Sequence, residues 1–86
     1  MNGSGYIYFW RVQDGGGRIR VCQGNFPGLN IAFALADCGD ELQQELSQKG
    51  IKQSRQCPPP SDALLVSFDF AVREGGFVAV NVSKVI

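Results

Sequence analysis

Leu64-Leu65-Val66-Ser67-Phe68-Asp69-Phe70, the turn Arg73-Glu74-Gly75-Gly76, and Phe77-Val78-Ala79-Val80-Asn81-Val82-Ser83-Lys84-Val85 decide the fold. Apolar and polar residues alternate before the turn, placing Val66, Phe68 and Phe70 on one face. After it, Val78, Val80 and Val82 share a face. Alternation with a period of two marks a strand with one side buried. The glycines between supply the positive φ that a tight hairpin needs. The last third of the chain therefore reads as a β-hairpin.

The N-terminal third repeats the pattern. Tyr6-Ile7-Tyr8-Phe9-Trp10-Arg11-Val12 is β-branched and aromatic, and it runs into Gln13-Asp14-Gly15-Gly16-Gly17. Arg18-Ile19-Arg20-Val21-Cys22 and Asn30-Ile31-Ala32-Phe33-Ala34-Leu35 alternate again, separated by a turn around Pro27. If Asp14–Gly16 form the first loop, Trp10 falls opposite Arg20 and Val12 opposite Arg18. Ile7, Phe9, Ile19, Val21, Ile31 and Phe33 then point into the core, and Tyr8, Trp10, Arg18, Arg20, Ala32 and Ala34 point out. A bulge in the first strand exchanges Phe9 and Trp10, which keeps both as candidates for the outer face.

Between these halves the character changes. Asp40 is placed to cap a short helix that ends at Gly50, with Gln43 at the capping-box position and Leu42 and Leu46 as a narrow apolar stripe. Ile51–Ser61 reads as irregular, ending in Pro58-Pro59-Pro60. Three strands, a long connection over about residues 39–60, and a final hairpin predict one domain over residues 1–86. The expected fold is all-β, a five-stranded OB-fold barrel with a short helix between strands three and four. Closure removes the sheet edges that invite aggregation.

Composition agrees with a small folded domain. The 86 residues are 44% hydrophobic with eight basic and eight acidic side chains, which excludes a disordered chain and a bulk polyanion-binding tail. No apolar run approaches the roughly 18 residues of a membrane span, and Met1–Gly5 begins no signal peptide, so the expected location is cytoplasmic, with no membrane partner. Histidine is absent, removing the commonest general base and metal ligand. Cys22, Cys38 and Cys57 form no CxxC pair, so zinc and thioredoxin-type sites are not expected, and the cysteines read as small free thiols. Gly15-Gly16-Gly17 lacks the Lys-Ser/Thr and following helix of a phosphate loop, and Asp40 and Glu41 are adjacent rather than facing. Asn81-Val82-Ser83 matches a glycosylation acceptor but sits in a strand of a chain with no secretion signal. No enzyme, metal or cofactor is expected.

These residues resemble a divergent cold-shock domain. Val66-Ser67-Phe68-Asp69-Phe70, Glu74-Gly75-Gly76 and Ala79-Val80-Asn81-Val82-Ser83-Lys84 are similar to that family's closing V-S-F-E, turn, A-A-N-V-T-K. Gly5-Tyr6-Ile7-Tyr8-Phe9-Trp10-Arg11 resembles its opening G-x-V-K-W-F-N. Gly17-Arg18-Ile19-Arg20-Val21 falls where the family has G-F-G-F-I, and Asn30–Leu35 where it has D-V-F-V-H-F. The resemblance implies binding of single-stranded RNA or DNA by base stacking on an aromatic sheet. The sequence departs from the family on that sheet: Arg18 and Arg20 stand where it has stacking Phe, and Ala32 and Ala34 where it has Phe and His.

The expected interface is therefore Tyr8, Phe9 and Trp10 for stacking and Arg18 and Arg20 for phosphate, with Lys52 and Arg55 extending the track if the connection folds over the barrel. Charge is sorted to match: residues 1–36 carry net +2, residues 37–48 hold four acids and no base, and residues 49–60 carry net +3. The competing reading of the aromatics is packing beneath the connection, and of the arginines a solvated hairpin face. The second functional reading is a barrel that has given up nucleic acid for a protein partner, or for a second copy of this chain held in a homodimer. It would be gripped through Tyr8, Trp10 and Asp40–Ser47.

Overall fold

The alternating segments fold into two hairpins that close on each other. The structure is a computed structural model and describes residues 1–85. Its strands are β1 (Asn2–Arg11), β2 (Gly16–Gly24), β3 (Asn30–Ala34), β4 (Ile51–Lys52), β5 (Leu64–Arg73) and β6 (Gly76–Lys84), with one helix, α1 (Asp40–Leu46). Around the barrel the order is β1-β2-β3-β6-β5 and back to β1, with β4 added along β1. All pairings are antiparallel except β3–β6, which is parallel and joined at Ala32↔Val78 and Phe33↔Ala79. This is an all-β, OB-like barrel, with the helix in the connection between the third and fourth barrel strands.

The core holds Ile7, Ile19, Val21, Ile31, Phe33, Val66 and Phe68, as alternation predicts. Three local departures change what faces out. The first turn occupies Val12–Gly15, a single 3-10 turn closed by Gly15 at φ 66°, so Arg11 pairs with Gly16 and Trp10 with Gly17. A bulge then leaves Tyr8 unpaired between Ile7↔Ile19 and Phe9↔Arg18. The extra residue flips the parity, so Phe9 lies outside and Trp10 inside, against the primary register expected from sequence. In β6, Asn81 adopts φ 51°, a conformation that Asn tolerates, and the alternation breaks there. Ala79 and Val82 are consequently the buried residues, while Val78 and Val80 are half-buried.

The helix closes one end of the barrel with Leu42 and Leu46. Its N-cap is Gly39 rather than Asp40, with no side-chain cap, and Gln43 Nε2 instead donates to the Cys38 carbonyl at 2.8 Å. Asp40 and Glu41 sit in the first turn, where negative charge suits the helix dipole. No helix among the described residues is long and apolar enough to cross a membrane.

The cysteines are not all the free thiols that the sequence predicts. Cys22 and Cys57 form a disulfide with Cα atoms 5.8 Å apart, and Cys38 alone is a free, buried thiol. Cys22 is itself the unpaired residue of a second bulge, between Ser4↔Gln23 and Gly5↔Val21. A Cβ on Gly5 would collide with the Arg20 carbonyl there, so the chain tolerates only glycine at this close approach. The bridge fastens the connection to the outer wall of β1 and β2. Tyr6 Oη holds it as well, donating to the Ser54 carbonyl at 2.6 Å and accepting from Gln56 N–H at 2.7 Å.

Candidate nucleic-acid interface

Trp10 does not belong to the outer face. It is 1% exposed, stacks on Phe33 with ring centroids 5.7 Å apart, and donates from Nε1 to the Leu46 carbonyl at 2.7 Å. Gly17 opposite it makes the room: a Cβ there would press on the Phe33 ring at 2.9 Å. The indole thus joins β1, β3 and α1 in one core, and its sequence-based role as a stacking platform is withdrawn.

Phe9 takes the outward place. It is half-buried, lies directly opposite exposed Arg18 of β2, and on its other side is paired with exposed Lys52 of β4. Directly opposite residues place their Cβ atoms about 4.5–5.5 Å apart, so the Phe9 position lies between those of two cationic residues. Arg11, two residues along the same strand, brings its guanidinium carbon to 5.4 Å from the Phe9 ring centroid. Arg11 was missed in the sequence reading, although its spacing from Phe9 placed both on one side of a strand.

Tyr8 extends the surface toward the connection. The bulge leaves it half-buried outside the core, with Arg55 5.9 Å above its ring. The Tyr8 carbonyl accepts from Gln53 N–H at 2.8 Å, which carries the β4 pairing one residue further. Lys52 and Arg55 therefore reach the barrel wall through backbone pairing, the Tyr6 hydroxyl and the disulfide. Tyr8, Phe9, Arg18, Lys52 and Arg55 are brought together.

Arg20 is drawn into a different task. It is half-buried, and its guanidinium donates to the Gly28 carbonyl at 2.7 Å and to Asn30 Oδ1 at 3.1 Å, fastening the β2–β3 loop. Its Nε is buried without a partner. Those contacts aim its charge at the loop rather than at an incoming phosphate. Across the wall from Arg20, Tyr6 is fully covered by the connection.

A separate aromatic group lies at the end of the second hairpin. Phe26, at φ 56° in the β2–β3 loop, packs against Phe70 and Phe77 with centroids 5.6 and 5.2 Å away. No protein-family model matches this chain, and no curated protein matches its sequence.

Proposed function

We propose that this protein binds single-stranded RNA or DNA on the outer wall formed by β1, β2 and β4. One observation carries the reading: Phe9 and Tyr8 lie on that wall, each flanked by cations, with Arg18, Lys52 and Arg11 around Phe9 and Arg55 over Tyr8. Aromatic faces stack on any base, and guanidinium and ammonium groups take the phosphates, so the pairing suits a strand of unspecified sequence. The OB-like barrel and the resemblance to cold-shock domains support the same conclusion, by analogy of fold. With the platform reduced to two rings, binding is weaker than a full aromatic sheet provides, since each stacked base contributes about 1–3 kcal/mol. Stacking on a base face and contact with a phosphate are open to a strand of either kind.

The Cys22–Cys57 bridge modifies the expected location. Disulfides persist in oxidising surroundings, and this one favours such a compartment over the reducing cytoplasm. The second reading, a protein-binding barrel, draws on the exposed end of the second hairpin, where Phe26 and Val72 are 45% and 69% exposed.

The deciding experiment is fluorescence anisotropy of a labelled single-stranded oligonucleotide titrated with the oxidised protein at low salt. Binding that weakens with added salt is expected. No rise in anisotropy at any protein concentration would transfer the argument to the protein-binding reading.

A further inference from the structure

The edge of β1 is shared by two strands, and a cleft opens where one gives way to the other. β5 pairs with β1 as far as Ile7↔Leu64, and β4 takes over at Phe9↔Lys52. The gap between them is a cleft of about 470 Å³, bordered also by the end of α1 and by Lys84 of β6. That volume lies within the usual range of small-ligand sites.

Its charges are unequally committed. Lys84 Nζ donates to Glu45 Oε1 at 2.7 Å, and Gln53 Nε2 donates to Asp62 Oδ1 at 3.0 Å. Both carboxylates are thus engaged, whereas Lys49 and Lys52 form no salt bridge among the described residues. Half-buried Ile51 and Leu64 supply apolar wall. Lys52 belongs to both places: it lines the cleft and stands directly opposite Phe9.

We infer that the cleft receives the nucleotide adjoining the one stacked on Phe9, with its phosphate between Lys49 and Lys52 and its sugar against Ile51 and Leu64. The inference deepens the proposed function and rests on it. It gives the bound strand a path, from Arg18 across Phe9 and Lys52 toward Lys49. A free mononucleotide offers the same phosphate chemistry, so the test includes one.

The test compares wild-type protein with Lys49→Ala, Glu45→Gln and Arg73→Gln, by anisotropy of a labelled single-stranded hexanucleotide over a range of salt. Lys49 is exposed and Arg73 lies on the remote hairpin, where its only ion pair among the described residues is to Asp37. Losing one phosphate contact lowers the slope of log K against log salt by about 0.7 and the affinity at 0.1 M salt by about fivefold. That result is expected for Lys49→Ala. Glu45→Gln, which releases Lys84, is expected to tighten binding, and Arg73→Gln to leave the slope unchanged.

Binding of the hexanucleotide that ignores both Lys49→Ala and Glu45→Gln overturns the cleft and leaves the proposed function standing. Equal weakening by Arg73→Gln also overturns it, since general charge would then explain the effect. A Lys49→Ala effect confined to competition by adenosine monophosphate overturns the strand path. No binding of the hexanucleotide by wild-type protein overturns both the cleft and the parent reading.

Discussion

Trp10 lies parallel to Phe33 inside the barrel, the two rings inclined by 18° with centroids 5.7 Å apart. Neighbouring Phe9 faces the opposite side of the same wall, across from Arg18. The bulge at Tyr8 thus decides which of two adjacent aromatics holds the fold and which meets solvent.

Trp10→Ala is expected to cost about 3–5 kcal/mol, the usual range for truncating a buried large aromatic, which is much of the stability of so small a domain. Urea denaturation followed by far-UV circular dichroism measures it. Because the indole is buried, its emission in the native protein should be blue-shifted and insensitive to iodide. Ready quenching by iodide would place Trp10 on the surface.

Phe9→Ala, by contrast, should leave the fold intact and weaken oligonucleotide binding by about 1–3 kcal/mol, the worth of one stacked base. Arg18→Gln should leave the fold intact too, while lowering the salt slope by about 0.7. Anisotropy titrations beside thermal melts separate the two effects. Phe9→Ala that unfolds the domain would return Phe9 to the core.

Breaking the Cys22–Cys57 bridge with a strong reductant, or by Cys22→Ser, should cost about 2–4 kcal/mol, given the 35-residue separation of its ends. The connection carrying Arg55 should loosen first, since beyond β4 it is held by few other contacts. Denaturation with and without reductant gives the energy. Amide exchange at Ser54–Gln56 and the exposure of Tyr6 report the loosening.

Burial, reinforced by the nearby Asp37 carboxylate, pushes the Cys38 thiol up to about 11 from its ordinary value of 9.0. The folded state thus holds the proton more tightly than the unfolded chain. The stability this contributes is complete below pH 9.0 and is lost as pH rises toward about 11. Cys38→Ala should flatten the fall in stability across that window, measured by urea midpoints at successive pH values. The native thiol should also resist alkylation at pH 8 until denaturant is added.

Ile19, Val21, Ile31, Phe33, Val66 and Phe68 were placed inside by alternation alone, and with the two glycine turns they define the barrel. Of the seven residues the sequence assigns to one surface, the fold brings Tyr8, Phe9, Arg18, Lys52 and Arg55 together, buries Trp10 and ties Arg20 to the β2–β3 loop. Trp10 and Phe9 could not be told apart by pattern, because both are aromatic and a single unpaired residue inverts the strand. Asn81 displaced the expected valine face of β6 for the same reason, through one left-handed residue in an otherwise regular run. The disulfide was illegible because its partners share no local spacing; it depends on the bulge at Cys22 and on the Tyr6 hydroxyl that seats the connection. Arg20 looked like a free cation because its acceptors, Gly28 and Asn30, become available only when the loop folds back.

Among the walls of the closed barrel, the β3–β6 joint is short and parallel, two residue pairs continued by the single parallel bridge Cys38↔Val82, where every other pairing between strands is antiparallel. Parallel pairing is slightly weaker per residue, so the cylinder has a preferred tear line. Pulled or thermally agitated, the molecule should part there into two leaves, the N-terminal meander and the C-terminal hairpin, still hinged along β1 and β5. Partial opening would then release the β3 edge while the β1–β2–β4 wall stays assembled.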